Sequence, residues 1–206
     1  PEPLTALGVL ESSAAAMLEV NSFHFDMAIE IGIESEGLTM SLPVTLVGDF
    51  VAPDRIAGSF GLNLGFFAIE SELIGIGDVL YTKDPETGEW GVSEGQDALF
   101  ASPEEFVGVD TSGLRDLVFI GEDDLDGTAV YVVEGIAEAG ALNEAQGETD
   151  VTYWVGVDDF LLRQIVAVGS VDSSESGDSL LGDFGTGTST ASITLKLSDF
   201  GAEFTI

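Results

Sequence analysis

The chemically reactive side chains of this chain are almost all carboxylates. The sequence holds 38 Asp and Glu residues, a single histidine, His24, and no cysteine. His24 alternates with Asp26 and Glu30, which would place an imidazole and two carboxylates on one face of a strand. Such a group could serve in acid–base or metal chemistry. Neighbours of this kind also arise by chance in so acidic a chain, and an exposed strand residue is the interpretation we favour for His24.

Residues 122–127 are similar to the start of a calcium-binding loop, because acids stand at alternate positions before Gly127. The twelfth position of such a loop requires a bidentate Glu, and Val133 stands there, so a hairpin turn is predicted instead. A catalytic triad has no support beyond one histidine. The sequence therefore predicts no catalytic residue, no metal site and no cofactor, and a protein that is not an enzyme.

Composition excludes further classes of protein. Five Lys and Arg against 38 Asp and Glu give a formal net charge of −33, which repels the phosphates of nucleic acid, so no nucleic-acid partner is expected. The absence of cysteine excludes zinc ribbons and thiol chemistry. No apolar run reaches the roughly 18 residues that a spanning helix needs. The 206 residues, 45% of them hydrophobic, are predicted to fold as one domain over residues 1–206, and a monomer is expected.

The elements that must position any site are read from the spacing of apolar residues. Apolar residues recur at helical spacing, which predicts an amphipathic helix over residues 4–20. They are Leu7, Leu10, Ala14, Met17 and Leu18. Apolar residues at every second position predict strands in the rest of the chain. These strands cover residues 23–33, 38–46, 56–64, 67–73, 78–83 with a hairpin to Trp90, 129–136, 151–157, 161–171 and 191–197.

The two-residue period is lost between residues 95 and 126. Ser102 followed by Pro103 and Glu104 is typical of a helix start, so short helices and loops are predicted for this insertion. The whole pattern indicates an α+β fold with one large antiparallel sheet of roughly eight to eleven strands. A sheet that wide must curl, and its helices are expected to pack on the concave face.

The concave face carries more large apolar side chains than two or three short helices can cover. We therefore predict a hydrophobic cavity between the curved sheet and the helices, large enough for an acyl chain. Each of these residues taken singly could equally belong to an ordinary core. The predicted lining residues are Leu42, Val44, Leu46, Leu62, Leu64, Phe67, Ile69, Leu73, Ile76, Phe100, Phe106, Leu117 and Phe119.

Short segments spread over nearly the whole chain resemble the LppX/LprAFG family of bacterial envelope lipoproteins, in the order in which the family has them. They are residues 13–17 and 20–25, 53–55, 76–81 with 87–90, 126–131, 154–158 with 161–163, and 197–201. The resemblance implies a half-open β-barrel, similar to that of the lipoprotein-localisation factors, with helices along a hydrophobic cavity. The chain departs from the family in its acidity, which could reflect a saline habitat.

The resemblance also implies a function. Members of the family are exported, are anchored to the outer leaflet of the cell membrane by an acylated cysteine, and carry lipids or glycolipids in the cell envelope. This chain lacks that cysteine, and residues 1–3 are expected to be a tether stub. An extracytoplasmic lipid carrier with an acyl-chain lipid or glycolipid as partner is the first hypothesis. The alternative is a surface protein-interaction or sensor module with the same fold and no lipid ligand.

Overall fold

The computed structural model of the chain describes residues 4–35, 38–63, 67–94, 111, 113–137, 148–172 and 188–206. Within these ranges the chain forms one helix and eleven strands. None of the described residues forms a helix with the length and apolar character to cross a bilayer. The elements are α1 (Ala6–Met17), β1 (Ser22–Ser35), β2 (Leu38–Val51), β3 (Arg55–Asn63), β4 (Ala68–Ile76), β5 (Val79–Lys83), β6 (Trp90–Glu94), β7 (Leu114–Leu125), β8 (Thr128–Ala137), β9 (Thr149–Gly156), β10 (Leu162–Asp172) and β11 (Thr188–Ser198).

All eleven strands belong to one antiparallel sheet in the order β6-β5-β4-β3-β2-β1-β11-β10-β9-β8-β7. Consecutive strands pair with each other except β6 and β7, and the last strand, β11, lies between β10 and β1. The sheet is not closed, because β6 and β7 remain as its two edges. The predicted fold class is confirmed: a large curved antiparallel sheet forms a half-open barrel, and α1 packs on it.

Helix α1 is shorter than predicted and turns a different stripe to the sheet. The Oγ1 atom of Thr5 accepts a hydrogen bond from the Gly8 amide at 3.1 Å and caps the N-terminus. The buried stripe consists of Ala6, Val9, Leu10, Ser13 and Met17, whereas Leu7 and Leu18 are exposed. The helix therefore faces the sheet with smaller side chains than the sequence pattern indicated.

Strand β7 corrects the prediction of helices and loops for the second half of residues 95–126. Two register shifts interrupt its pairing with β8, one between Arg115 and Val118 and one between Phe119 and Gly121. Asp116 and Gly121 have φ angles of 53° and 138°, as bulged residues often do. Each bulge shifts the alternation of apolar residues by one position, which hides the strand from a search for a two-residue period. The predicted helix start at Ser102 lies outside the described residues.

The face of the sheet on which α1 lies is here called the inner face, and it carries the buried core. Phe23, Phe25 and Phe50 are buried on this face, and the rings of Phe23 and Phe50 are 4.8 Å apart between centroids. Gly48 and Gly58 oppose each other beside them. A Cβ atom on Gly48 would lie 2.9 Å from the Phe25 ring and 2.3 Å from the Ala57 carbonyl oxygen. The two glycines therefore leave the space that the Phe25 ring occupies.

Candidate functional site

A continuous row of apolar side chains crosses the inner face at right angles to the strands. Ile29 of β1 lies opposite Val44 of β2. Val44 in turn lies opposite Leu62 of β3, and Leu62 lies opposite Ile69 of β4. On its other side Ile29 lies opposite Ile193 of β11. Because paired residues share a face and strands are about 4.8 Å apart, these five side chains form a strip about 19 Å long. We call this strip the apolar row.

Beside the apolar row, the outer face of the same strands carries small and polar side chains instead of large apolar ones. The outer-face residues next to the apolar row are Ala28, Thr45, Gly61 and Glu70, which oppose one another in the same manner. The inner row carries four branched aliphatic side chains at the positions where the outer row carries a methyl, a hydroxyl, a hydrogen and a carboxylate. The sheet is therefore strongly amphipathic in β1 to β4.

The apolar row is half-buried rather than covered. Helix α1 packs chiefly on β7, β8 and β9, at the other side of the sheet. Ile193 packs against the buried core, but none of the other four members of the apolar row does so within the described ranges. The helix lies over β7 to β9. On β1 to β4 the inner face is buried at Phe23, Phe50 and Ile56 and becomes half-buried farther along the strands, at the apolar row.

Most of the predicted lining residues lie on the inner face. Strand register places Leu42, Val44, Leu46, Leu62, Ile69 and Leu73 there, and Leu117 and Phe119 pack against the core from β7. Leu46 and Leu73 are fully buried and belong to the core itself. Leu64, Phe100 and Phe106 lie outside the described residues. That these side chains enclose a cavity stays a prediction.

Two predicted residues lie elsewhere. Ile76 opposes Arg55 on the outer face and is 45% exposed, so its prediction as a lining residue is wrong. The physical reason is its spacing: Ile76 is three positions from Leu73, and strand residues at odd separations point to opposite faces. Phe67 stands just before β4 and is also exposed.

Sequence reasoning missed two members of the apolar row, Ile29 and Ile193. Both stand at apolar positions of runs in which the two-residue alternation is visible. The sequence does not reveal that β1 pairs with β11, a pairing that brings the first and last strands of the chain together. Alternation within a strand cannot reveal a partner so distant in sequence.

A separate polar cleft of about 690 Å³ lies at the ends of β1, β10 and β11. In it, Arg163 forms an ion pair with Asp159. His24, also in the cleft, has its Nδ1 atom 2.7 Å from Asp49 Oδ1, a hydrogen bond in which the imidazole donates to the carboxylate. The cleft shares no residue with the apolar row. Its lining consists of His24, Asp26, Leu125, Asp126, Thr128, Asp159, Leu161, Arg163, Gln164, Lys196, Leu197, Ser198, Asp199 and Phe200.

The acidic turn that is similar to a calcium loop is a hairpin turn, as predicted. It joins β7 to β8, and Asp126 and Gly127 adopt φ angles of 54° and 89°. The Asp124 carboxylate accepts a hydrogen bond from the Gly127 amide at 2.9 Å, so it closes the turn. Among the described residues, no three His, Cys, Asp or Glu side chains are grouped so that they could hold a metal ion.

Comparison with known proteins identifies the fold. The sequence matches no protein-family model and no curated protein. The structure is similar to that of LprF from Mycobacterium bovis, with a TM-score of 0.61 and 15% identity over 98% of this chain and 95% of that one. It is equally similar to the lipoprotein LppX from Mycobacterium tuberculosis, with a TM-score of 0.61 and 16% identity over 98% and 97% of the two chains. Over nearly its full length the chain therefore has the fold of LprF and LppX, as its sequence resemblance implied.

Proposed function

We propose that this protein binds the acyl chains of a lipid or glycolipid along the apolar row and carries that lipid in the cell envelope without catalysing a reaction. It would be an extracytoplasmic member of the LppX/LprAFG lipoproteins, held at the outer leaflet by a lipid anchor. The half-buried apolar row is the single observation on which the proposal depends. The likeness in fold to LprF and LppX supports it.

The free energy of lipid binding would come from the removal of apolar surface from water. The apolar row is half-buried, so part of its surface meets water, and contiguous apolar surface left in contact with water often marks an interaction site. Each methylene of an acyl chain that leaves water gains about 0.8 kcal/mol, so about a dozen methylenes supply roughly 10 kcal/mol before the costs of association. The apolar row offers aliphatic partners at every strand from β11 to β4. Binding of this kind needs no reactive group.

Native mass spectrometry of the gently purified protein tests the proposal. We expect a population heavier than the 206-residue chain by the mass of a lipid, and we expect organic extraction to remove that mass and yield the lipid. Delipidated protein should then bind added fatty acid and melt at a higher temperature, because a ligand that binds only the folded state stabilises it. The proposal would be refuted if the purified chain carried no lipid and if added fatty acid left its melting temperature unchanged.

The alternative function, a protein-interaction or sensor module, has one observation in its favour. Val118 and Ile120 of β7 and Val168 of β10 are large apolar side chains that are exposed. A module of this kind predicts that cross-linking captures a protein partner through these residues. It also predicts that added fatty acid leaves the melting temperature unchanged, so the same titration separates the two functions.

A further inference from the structure

The outer face of β4, β5 and β6 carries an apolar surface at one edge of the sheet. Ile74 opposes Tyr81, which opposes Val92, and Ile76 opposes Val79. Three of its side chains are well exposed: Ile76 at 45%, Trp90 at 44% and Val92 at 59%. We call this surface the β4–β6 patch; its members are Ile74, Ile76, Val79, Tyr81, Trp90 and Val92.

Basic residues stand on both sides of the β4–β6 patch, although the whole chain has only five Lys and Arg against 38 acids. Arg55 opposes Ile76 at one side. Lys83 opposes Trp90 at the other, with its Nζ atom 5.9 Å from the centroid of the indole ring and 2.7 Å from Glu72 Oε1. Acids surround this arrangement: Asp78 precedes β5, and Asp84, Glu86 and Glu89 lie between β5 and β6. Two more stand on the outer face itself, where Glu72 is two positions from Ile74 and Glu94 lies opposite Val79.

We propose that the β4–β6 patch docks on the surface of a bilayer of zwitterionic lipid. Tryptophan and tyrosine prefer the membrane–water interface, where the ring meets the acyl region and the polar atom meets the headgroups. Exposed isoleucine and valine beside them enter the apolar boundary. Arg55 stands where lipid phosphates would lie, and its long stem allows the charge to stay at the headgroups, whereas Lys83 is already paired with Glu72.

The charge of the chain favours a zwitterionic bilayer over two other partners for the β4–β6 patch, a second copy of the chain and an anionic bilayer. A second copy of the chain would bring another net charge of −33 against the first, which opposes a dimer through this patch. An anionic bilayer would be repelled by the same charge and by the acids around the patch. A zwitterionic bilayer has no net charge to repel and presents phosphates to Arg55. The patch therefore fits a zwitterionic surface, and this inference does not depend on the proposed function, since the apolar row lies on the opposite face.

Co-sedimentation with phosphatidylcholine vesicles tests the inference. We expect the chain to partition onto these vesicles at low salt and to partition less onto vesicles that contain phosphatidylglycerol. Val92→Glu should weaken partitioning about tenfold or more, because it places a charge in the apolar boundary. Val168→Glu is the matched control: Val168 is 47% exposed on the outer face of β10, far along the sheet, and its substitution should leave partitioning unchanged.

Three outcomes would overturn the docking proposal. The chain could stay in the supernatant, Val92→Glu and Val168→Glu could reduce vesicle binding equally, or the chain could bind better to vesicles that contain phosphatidylglycerol. A dimer in solution that Val92→Glu dissociates would assign the patch to a second copy instead. Binding of a fluorescent fatty acid without vesicles should be the same for Val92→Glu and the unsubstituted chain. If docking fails while that binding persists, the docking inference falls and the proposed function stands.

Discussion

Substitution of Val44 by glutamate places a carboxylate in the middle of the apolar row. Val44 lies between Ile29 and Leu62 and is half-buried, so in the free protein the new carboxylate can remain in water. A bound acyl chain would cover it. Because an ion that loses its water costs several kcal/mol, the acyl chain should leave this position instead of covering it. The substitution should therefore impair lipid binding far more than folding.

The size of the effect follows from strand spacing. One strand occupies about 4.8 Å of the apolar row, so an acyl chain displaced from Val44 loses the contacts of about four methylenes. At about 0.8 kcal/mol each, these supply about 3.2 kcal/mol, which corresponds to roughly 200-fold weaker binding. The assay is fluorescence titration of the delipidated protein with a fluorescent fatty acid.

Val47→Glu is the matched control for Val44→Glu. Val47 belongs to the same strand but opposes Asp26 and Ser59 on the outer face, and it is likewise half-buried. We expect Val47→Glu to bind the fatty acid as the unsubstituted chain does. Equal affinities for Val44→Glu and the unsubstituted chain, or equal losses for both variants, would refute the placement of the acyl chain on the inner face.

Three further predictions concern stability and charge. Gly48→Ala should lower the free energy of unfolding by about 1–3 kcal/mol in urea denaturation, because its Cβ meets the Phe25 ring and the adjacent strand; an unchanged midpoint would contradict this. With a net charge of −33, the melting temperature should rise with NaCl, mostly below about 0.2 M, as screening sets in; a flat profile would show that self-repulsion is unimportant. The amides of Thr87 and Glu86 donate to the Asp84 carboxylate and lower its pKa, so this turn should gain stability above the ordinary pKa of aspartate and lose it as pH falls through the lowered value; an NMR titration of Asp84 with an ordinary midpoint would contradict this.

The strands near the start of the chain are predictable from sequence because their partners are their neighbours in the chain. Each of β1 to β5 pairs with the next, so alternation within a strand and a turn between strands suffice to align them. Alternation alone therefore assigns Val44, Leu62 and Ile69 to one face. Ile76 is assigned wrongly because its odd separation from Leu73 turns it to the other face.

Features that depend on distant pairing or on irregular backbone are not predictable in this way. The contact of Ile193 with Ile29 requires β11 to insert beside β1, and nothing in either segment indicates that choice. Strand β7 contains two bulges, so its apolar residues do not alternate regularly. The area of the inner face that α1 covers also cannot be predicted from the sequence, because it depends on where the helix lies on the folded sheet.

Paramagnetic NMR with a spin-labelled fatty acid tests the central claim most directly. The spin label should broaden the methyl signals of Ile29, Val44, Leu62 and Ile69, which share the inner face. The methyl signals of Val47 and Val168, on the outer face, should keep their intensity. Broadening confined to outer-face methyl groups, or none at saturating fatty acid, would contradict the claim that the apolar row is the lipid-binding site.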